Sequence, residues 1–280
     1  MDAPQDAARH VGCHLVFEVG EGGASLVLQV AAARPAKGTV AEQLAVDAAG
    51  VALEAKEVPL DGTDGGRYHL IEAPAGPLTI RYEATVHPGP PASSVAEGLG
   101  DPATVAYLRP SRYSPSDTLL AFATAELASL PEGAARPAAV AGWVFERLAY
   151  DLDATAPLDG AVETLLSGRG VCRDFAHLTV ALCRALELPA RLVAVYAPGL
   201  SPMDFHAVAE VAVDGEWQVV DATRLAPRGS LVRIATGRDA ADTAFATTLH
   251  GHAELLSSEI WAIVDGDLPA DDHVTPMGLG

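Results

Sequence analysis

Between two apolar runs, Phe205–Val213 and Glu216–Ala222, stands the bare dipeptide Asp214-Gly215. Asp-Gly in that setting is the strongest short-range signal for a two-residue β-hairpin, because both central residues of a type I′ turn need positive φ. The signal fixes more than a turn. It makes the runs antiparallel and pairs Val213 with Glu216, so Asp221 falls opposite Val208. His206 is two residues from Val208 and shares its face. His206 and Asp221 are then diagonal cross-strand neighbours, roughly 7–8 Å apart at the backbone and within side-chain reach. A bulge at the turn would put them on opposite faces.

A second feature lies upstream. Ser167-Gly-Arg-Gly-Val-Cys172 leads into an apolar stretch that reads as a helix to about Leu188, ended by Pro189. Phe175, Leu178, Leu182 and Leu186 share one face, and Val180, Ala181 and Cys183 leave little polar surface, so the helix is central and buried. A cysteine in a helix's first turn sits at the positive end of the macrodipole, which favours thiolate over thiol. Free backbone N–H groups there can receive an oxyanion. Gly170 leaves room for a substrate backbone. The competing reading is a buried structural cysteine, since free cysteine is among the most buried residue types. Joined to the hairpin, Cys172, His206 and Asp221 have the types needed for nucleophile, base and orienting carboxylate. The alternative for His206 is a satisfied histidine in a polar hairpin.

The remaining chain divides by texture. His14–Val19, Ala24–Val30, Arg67–Ile71 and Leu78–Val86 are strand-like, separated by Gly, Pro and Asp clusters, and suggest a small β-sandwich. Pro88-Gly-Pro-Pro-Ala-Ser-Ser94 and the stretch to Asp101 read as a linker. Helices are expected from Ser116 to about Leu130 and from Ala138 to Tyr150, and strands at Arg191–Tyr196 and Glu259–Val264, followed by a polar tail. Helices followed by antiparallel strands make an α+β pattern. The expected division is a β-rich N-terminal domain and linker over 1–100 and a catalytic domain over 101–280.

Charge narrows the partners. Eighteen basic residues stand against 37 acidic ones, a formal net of -19. A nucleic-acid partner is excluded, because binding a phosphate backbone relies on Lys and Arg releasing counterions. The acidic excess reads either as a solvated surface or as attraction for cationic substrates. No run approaches the ~20 apolar residues of a membrane helix, and Met1-Asp-Ala-Pro-Gln-Asp6 lacks a signal peptide's basic and apolar regions. A cytoplasmic protein without a membrane partner is the expectation. Cys13, Cys172 and Cys183 are an odd set that argues against a disulfide framework.

Three blocks carry a resemblance. Gly168-Arg-Gly-Val-Cys-Arg-Asp-Phe-Ala-His177, Asp204-Phe-His-Ala207 and Trp217-Gln-Val-Val-Asp-Ala-Thr223 resemble the core of the transglutaminase-like superfamily, and most of all its bacterial cysteine peptidases. The resemblance covers roughly Tyr107 to Phe245. It implies a papain-like core in which the cysteine helix packs on an antiparallel sheet or small barrel. It further implies Cys172 as nucleophile, His206 as base and Asp221 as third member. Where many relatives carry an aromatic two positions after the histidine, this chain has Val208, which bears on the shape of the acceptor pocket. Trp143 is a candidate oxyanion donor through its indole N–H, or else a core side chain.

The other polar residues have plainer readings. His177 reads as a hydrogen-bonded core histidine, Glu210 as a surface residue, and Asp265–Asp272 as a solvated tail rather than a calcium loop. No metal and no cofactor are expected. The expected chemistry is acyl transfer through a thioester, on a protein or peptide with an amide or isopeptide bond. Hydrolysis is the leading outcome; protein-glutamine transamidation and an inert binding module of the same fold are the alternatives.

Overall fold

A computed structural model describes residues 7–34, 37–89, 102–154 and 156–280. Most of the expected linker, and the first six residues, lie outside these. The chain first forms β1 (Arg9–Leu28), β2 (Thr39–Ala48), β3 (Val51–Ala52), β4 (Lys56–Pro59), β5 (Arg67–Ala73) and β6 (Gly76–His87). Then come α1 (Pro102–Leu108), α2 (Ser116–Glu126), α3 (Arg136–Arg147), β7 (Ala149–Tyr150), α4 (Ala161–Ser167), β8 (Arg169–Gly170) and α5 (Cys172–Ala185). β9 (Ala190–Tyr196), β10 (His206–Val213), β11 (Glu216–Val220), β12 (Val232–Gly237), α6 (Ala240–Thr243) and β13 (Ala246–Val264) complete it.

The first sheet is built round β1, in the order β3-β2-β6-β1-β5-β4, with β13 on the other side of β1. One limb of β1, Arg9–Val19, pairs with β6; the other, Ala24–Leu28, pairs with β5. β13 follows both limbs, from Arg9 opposite Val264 to Leu28 opposite Ala246. The inward set changes parity between the limbs. Val11, Cys13, Leu15, Phe17 and Val19 are buried in the first, Ala24, Leu26 and Leu28 in the second. Such a change requires extra residues at a bend. Glycine supplies the bend on two strands. A Cβ on Gly23 (φ +81) would lie 2.7 Å from the Ala73 carbonyl oxygen, and one on Gly251 (φ +75) 2.0 Å from that of Gly23. The limbs share one core with Leu78, Ile80, Tyr82 and Val86 of β6, and with Tyr196, Val232 and Ile234 of the second sheet.

The second sheet has the order β11-β10-β9-β12, all antiparallel. Its hairpin has the expected register: Val213 pairs with Glu216 and Ala209 with Val220. Asp214 (φ 52) and Gly215 (φ 80) both take positive φ, as a type I′ turn demands. α5 is buried from Asp174 to Ala185 and packs against α2, α3, α4, β9 and β10. Leu178 and Leu182 are among its fully buried side chains, each worth about 1.5–3 kcal/mol of burial. The whole is a mixed α+β fold, with a cysteine-bearing helix on an antiparallel sheet preceded by a β-rich part.

Three of the elements that differ from the sequence expectation bear on the site and the sheets. The second helix stops at Arg147 rather than Tyr150. Leu148 turns extended, and the next residues pair with β8 through Ala149 N–H to Gly168 O (2.9 Å) and Asp151 N–H to Gly170 O (3.0 Å). The last strand starts at Ala246 rather than Glu259, and it joins the first sheet. Most of it is exposed, so its sequence shows no alternation to read. The acidic tail is anchored rather than solvated. Buried Arg228 donates to both Asp271 oxygens, at 2.7 Å from Nη2 and 3.0 Å from Nε, and Leu279 enters a core cluster with Val193 and Val219. A buried guanidinium needs a carboxylate, and Asp271 supplies it.

Candidate active site

Cys172 is the first residue of α5. The preceding residue, Val171, is N-cap, and its N–H donates to Asp174 Oδ2 at 2.9 Å while its carbonyl accepts from Asp174 N–H at 2.9 Å. That reciprocal arrangement satisfies end groups the helix leaves unpaired and puts a carboxylate where the dipole favours it. Gly170 makes it possible. A Cβ there would lie 2.7 Å from Asp174 Cβ and Oδ2, so the space is taken by the capping carboxylate. Gly168, left-handed at φ 67, ends α4 and turns the chain into β8.

The Cys172 side chain is half-buried, and its thiol points to the Phe205 carbonyl at 4.0 Å. The next residue is His206, fully buried at the start of β10. Its Nε2 lies 2.9 Å from Asp221 Oδ2. Asp221 Oδ1 accepts from Thr223 N–H (2.8 Å) and the Thr223 hydroxyl (2.7 Å), so both carboxylate oxygens are engaged. His206 Nδ1 has no hydrogen-bond partner, while the Cys172 side chain interacts with the same ring.

Electrostatics follow from this enclosure. Burial opposes the His206 imidazolium, but the Asp221 charge and hydrogen bond, with the Cys172 contact, outweigh it and push the pKa up to about 10. Burial likewise opposes the Asp221 carboxylate; the His206 charge, its hydrogen bond and those of Thr223 hold the pKa below the usual carboxylate value. The arrangement can keep a proton on the imidazole beside the Cys172 sulfur.

Tyr150 is a residue the sequence reading missed. β7 pairs it with Gly170, and its ring packs on Phe175 at 6.0 Å. Its hydroxyl lies near the backbone N–H of Cys172. Burial and the neighbouring Cys172 charge push its pKa up to about 12, so the phenol stays protonated. Its only sequence signal was its place at the end of a helix that stops early.

Trp143 packs edge-on against Phe122 at 5.8 Å, with Arg147 4.7 Å from its ring centre. Val208 is 1% exposed, in a cluster with Val193, Val195 and Val219. His177 is fully buried, stacked on Tyr113 at 5.1 Å, and its Nε2 accepts the Ala240 N–H at 3.1 Å. Burial pushes its pKa down to about 3. Glu210 is not at the surface. It is fully buried between Arg191 (2.8 Å) and Arg233 (2.7 Å), which hold its pKa at about 2 against the effect of burial. The hairpin face gave no warning, because both arginines come from other strands. Among the described residues no three His, Cys, Asp or Glu side chains are grouped to hold a metal.

A cysteine at a helix N-terminus beside a histidine and carboxylate on an antiparallel sheet defines a papain-like core. The profile of the transglutaminase-like superfamily matches residues 121–222. A putative cysteine protease of Cytophaga hutchinsonii is 30% identical, with 98% of each chain covered and a TM-score of 0.88. This chain belongs to the transglutaminase-like superfamily. It is also 28% identical over 149 residues to an uncharacterized protein of Mycobacterium leprae, across 49% of this chain and 52% of that one. The chain thus spans about half the length of the curated relative it matches. The periplasmic domain of TgpA from Pseudomonas aeruginosa is 20% identical, over 77% of this chain and 90% of that one, with a TM-score of 0.41. The superfamily and the Cytophaga structure support a cysteine-based enzyme. No helix among the described residues is long and apolar enough to cross a membrane.

Proposed function

We propose that Cys172, His206 and Asp221 act as a catalytic triad that cleaves an amide bond through a thioester. One observation carries this reading: the His206 ring is pinned by Asp221 through Nε2 at 2.9 Å, its Nδ1 has no hydrogen-bond partner, and the Cys172 side chain interacts with the same ring. The thiol proton passes to Nδ1, and the sulfur attacks the carbonyl carbon. The oxyanion is held by the Cys172 N–H and the Tyr150 hydroxyl. Collapse expels the amine, which takes the proton from His206, and leaves the acyl group on sulfur. Water, deprotonated by His206, then releases the acid and restores the thiol.

The substrate in this reading is a protein or peptide. The Cytophaga relative's name points to a peptide bond. Leu152 and Leu158 are exposed on a loop tied to the first turn of α5, where Arg173 Nη2 donates to Ala156 O at 2.8 Å. They offer apolar surface to a bound chain. The chemistry resides in 101–280, and residues 1–100 open the β-rich companion domain. Three unpaired cysteines fit a reducing compartment, the cytoplasm.

The test is mass spectrometry of glutamine-containing proteins incubated with the enzyme, with and without a primary amine. Chain cleavage or conversion of amide to acid is the expected result. Amine incorporation in place of hydrolysis would reassign the enzyme as a transglutaminase. Equal turnover by parent and Cys172→Ala would sink the proposal.

A further inference from the structure

The first sheet has unequal edges. One side ends in β3 and β4, strands of two and four residues, the kind of short edge that resists pairing with another chain. The other side is β13, nineteen residues long, and among the described residues only β1 pairs with it. From Thr247 to Glu259 every residue but Ala253 is exposed, including Leu249 (56%), Leu255 (38%) and Leu256 (58%). A long edge strand uncovered on both faces and bearing leucines is a template for strand addition.

Its irregularities state what an added strand must look like. Against β1, β13 bulges at Leu249 and Leu256, and at Gly251–Ala253 it turns the corner of the sheet. A regular strand would lose register three times along this edge. A second copy of β13, running antiparallel with His252 opposite itself, carries the same irregularities in mirrored order. Gly251 then meets Ala253, so bend meets bend. Thr247 meets Ser257, and both pair with outward positions of β1, Val27 and Val16. Ala246 meets Ser258, and both pair with inward positions, Leu28 and Leu15. The two bulged segments face each other. Leu249 falls opposite Leu255, and His250 opposite Glu254, twice over by symmetry.

We propose that the protein forms a two-fold dimer in which two β13 strands pair antiparallel about His252, joining two seven-stranded sheets into one. The occupant is a second copy because the spacing of the bulges, the position of the bend and the His250–Glu254 complementarity are met together by this strand itself.

The full-length chain should sediment as a dimer in analytical ultracentrifugation. His250→Glu sets two glutamates against each other at two places and should weaken the dimer at least about tenfold. Adding Glu254→His to that variant restores opposite partners and should bring the affinity back, which mere surface damage would not do. Register is read separately. In a Cys172→Ala background, His252→Cys should cross-link to its own copy on oxidation, since directly opposed residues lie about 4.5–5.5 Å apart at Cα, within disulfide range. A monomer at every concentration, a dimer that both charge variants leave unchanged, or no cross-link in a dimeric sample would each overturn the proposal.

Discussion

Replacing Asp221 with Asn tests the charge on the His206 ring directly. The substitution keeps size and a hydrogen-bond acceptor but removes the carboxylate charge. In the parent the His206 pKa rises from 6.5 to about 10, equivalent to about 5 kcal/mol in favour of imidazolium, after the opposing effect of burial is already included. With the charge gone, burial dominates and the ring should titrate below 6.5. At neutral pH the imidazole is then mostly neutral, and it can no longer sit as a cation beside sulfur. Turnover should fall by about a thousandfold or more, the scale seen when a triad carboxylate becomes an amide. The stability change has a defined window. A raised histidine pKa stabilises the fold fully below 6.5, and the effect fades as pH rises through about 10. The depressed Asp221 pKa stabilises above the ordinary carboxylate value of 3.8 and fades as pH falls. Parent and variant should therefore differ most in denaturant midpoint between about pH 4 and 6.5 and converge above about 10. The assay is nuclear magnetic resonance titration of the His206 ring, with turnover on the same samples. A variant whose ring still titrates near 10 would refute the electrostatic account, whatever its activity.

Cys172→Ala should abolish turnover, and the Cys172→Ala/His206→Ala pair should be no worse than Cys172→Ala, because the residues act as a unit; steady-state kinetics on folded samples decides. Tyr150→Phe should lower kcat by about ten- to a hundredfold with little change in KM and an unchanged iodoacetamide rate, since alkylation forms no oxyanion; an increase in turnover would mean that the hydroxyl blocks the site instead. Glu210→Gln leaves buried Arg191 and Arg233 with only Asp64 as a carboxylate partner and should destabilise the fold by about 3 kcal/mol, the lower end of the cost of breaking a buried pair, in urea titration at pH 7. The parent's advantage at this position is present above 4.5 and disappears as pH falls through about 2.

The hairpin was readable because its information is local. Two turn residues set the register, the register set the faces, and His206 met Asp221 without reference to the rest of the chain. The α5 start was readable for the same reason, from glycines and one buried face. Tyr150 could not be found this way. Its position depends on a helix that ends three residues early because a distant strand, β8, captures the chain. Glu210 was misjudged because strand alternation says which face a side chain takes but not that two arginines from β9 and β12 await it. β13 was cut short because an exposed edge carries no periodic signal, and its pairing to β1 spans over two hundred residues.

That last pairing has a consequence for synthesis on the ribosome. β1 through β6 are complete once His87 has been made, but the strand that closes the free side of β1 comes only with residues 246–264. At about 5–20 residues per second, roughly 10 to 35 seconds separate the two events. During that interval β1 presents an open edge beside its alternating apolar residues. The nascent first sheet is thus the part of the chain most in need of a chaperone. A fragment ending before Ala246 would remain in that unfinished state permanently, however well its own six strands are made.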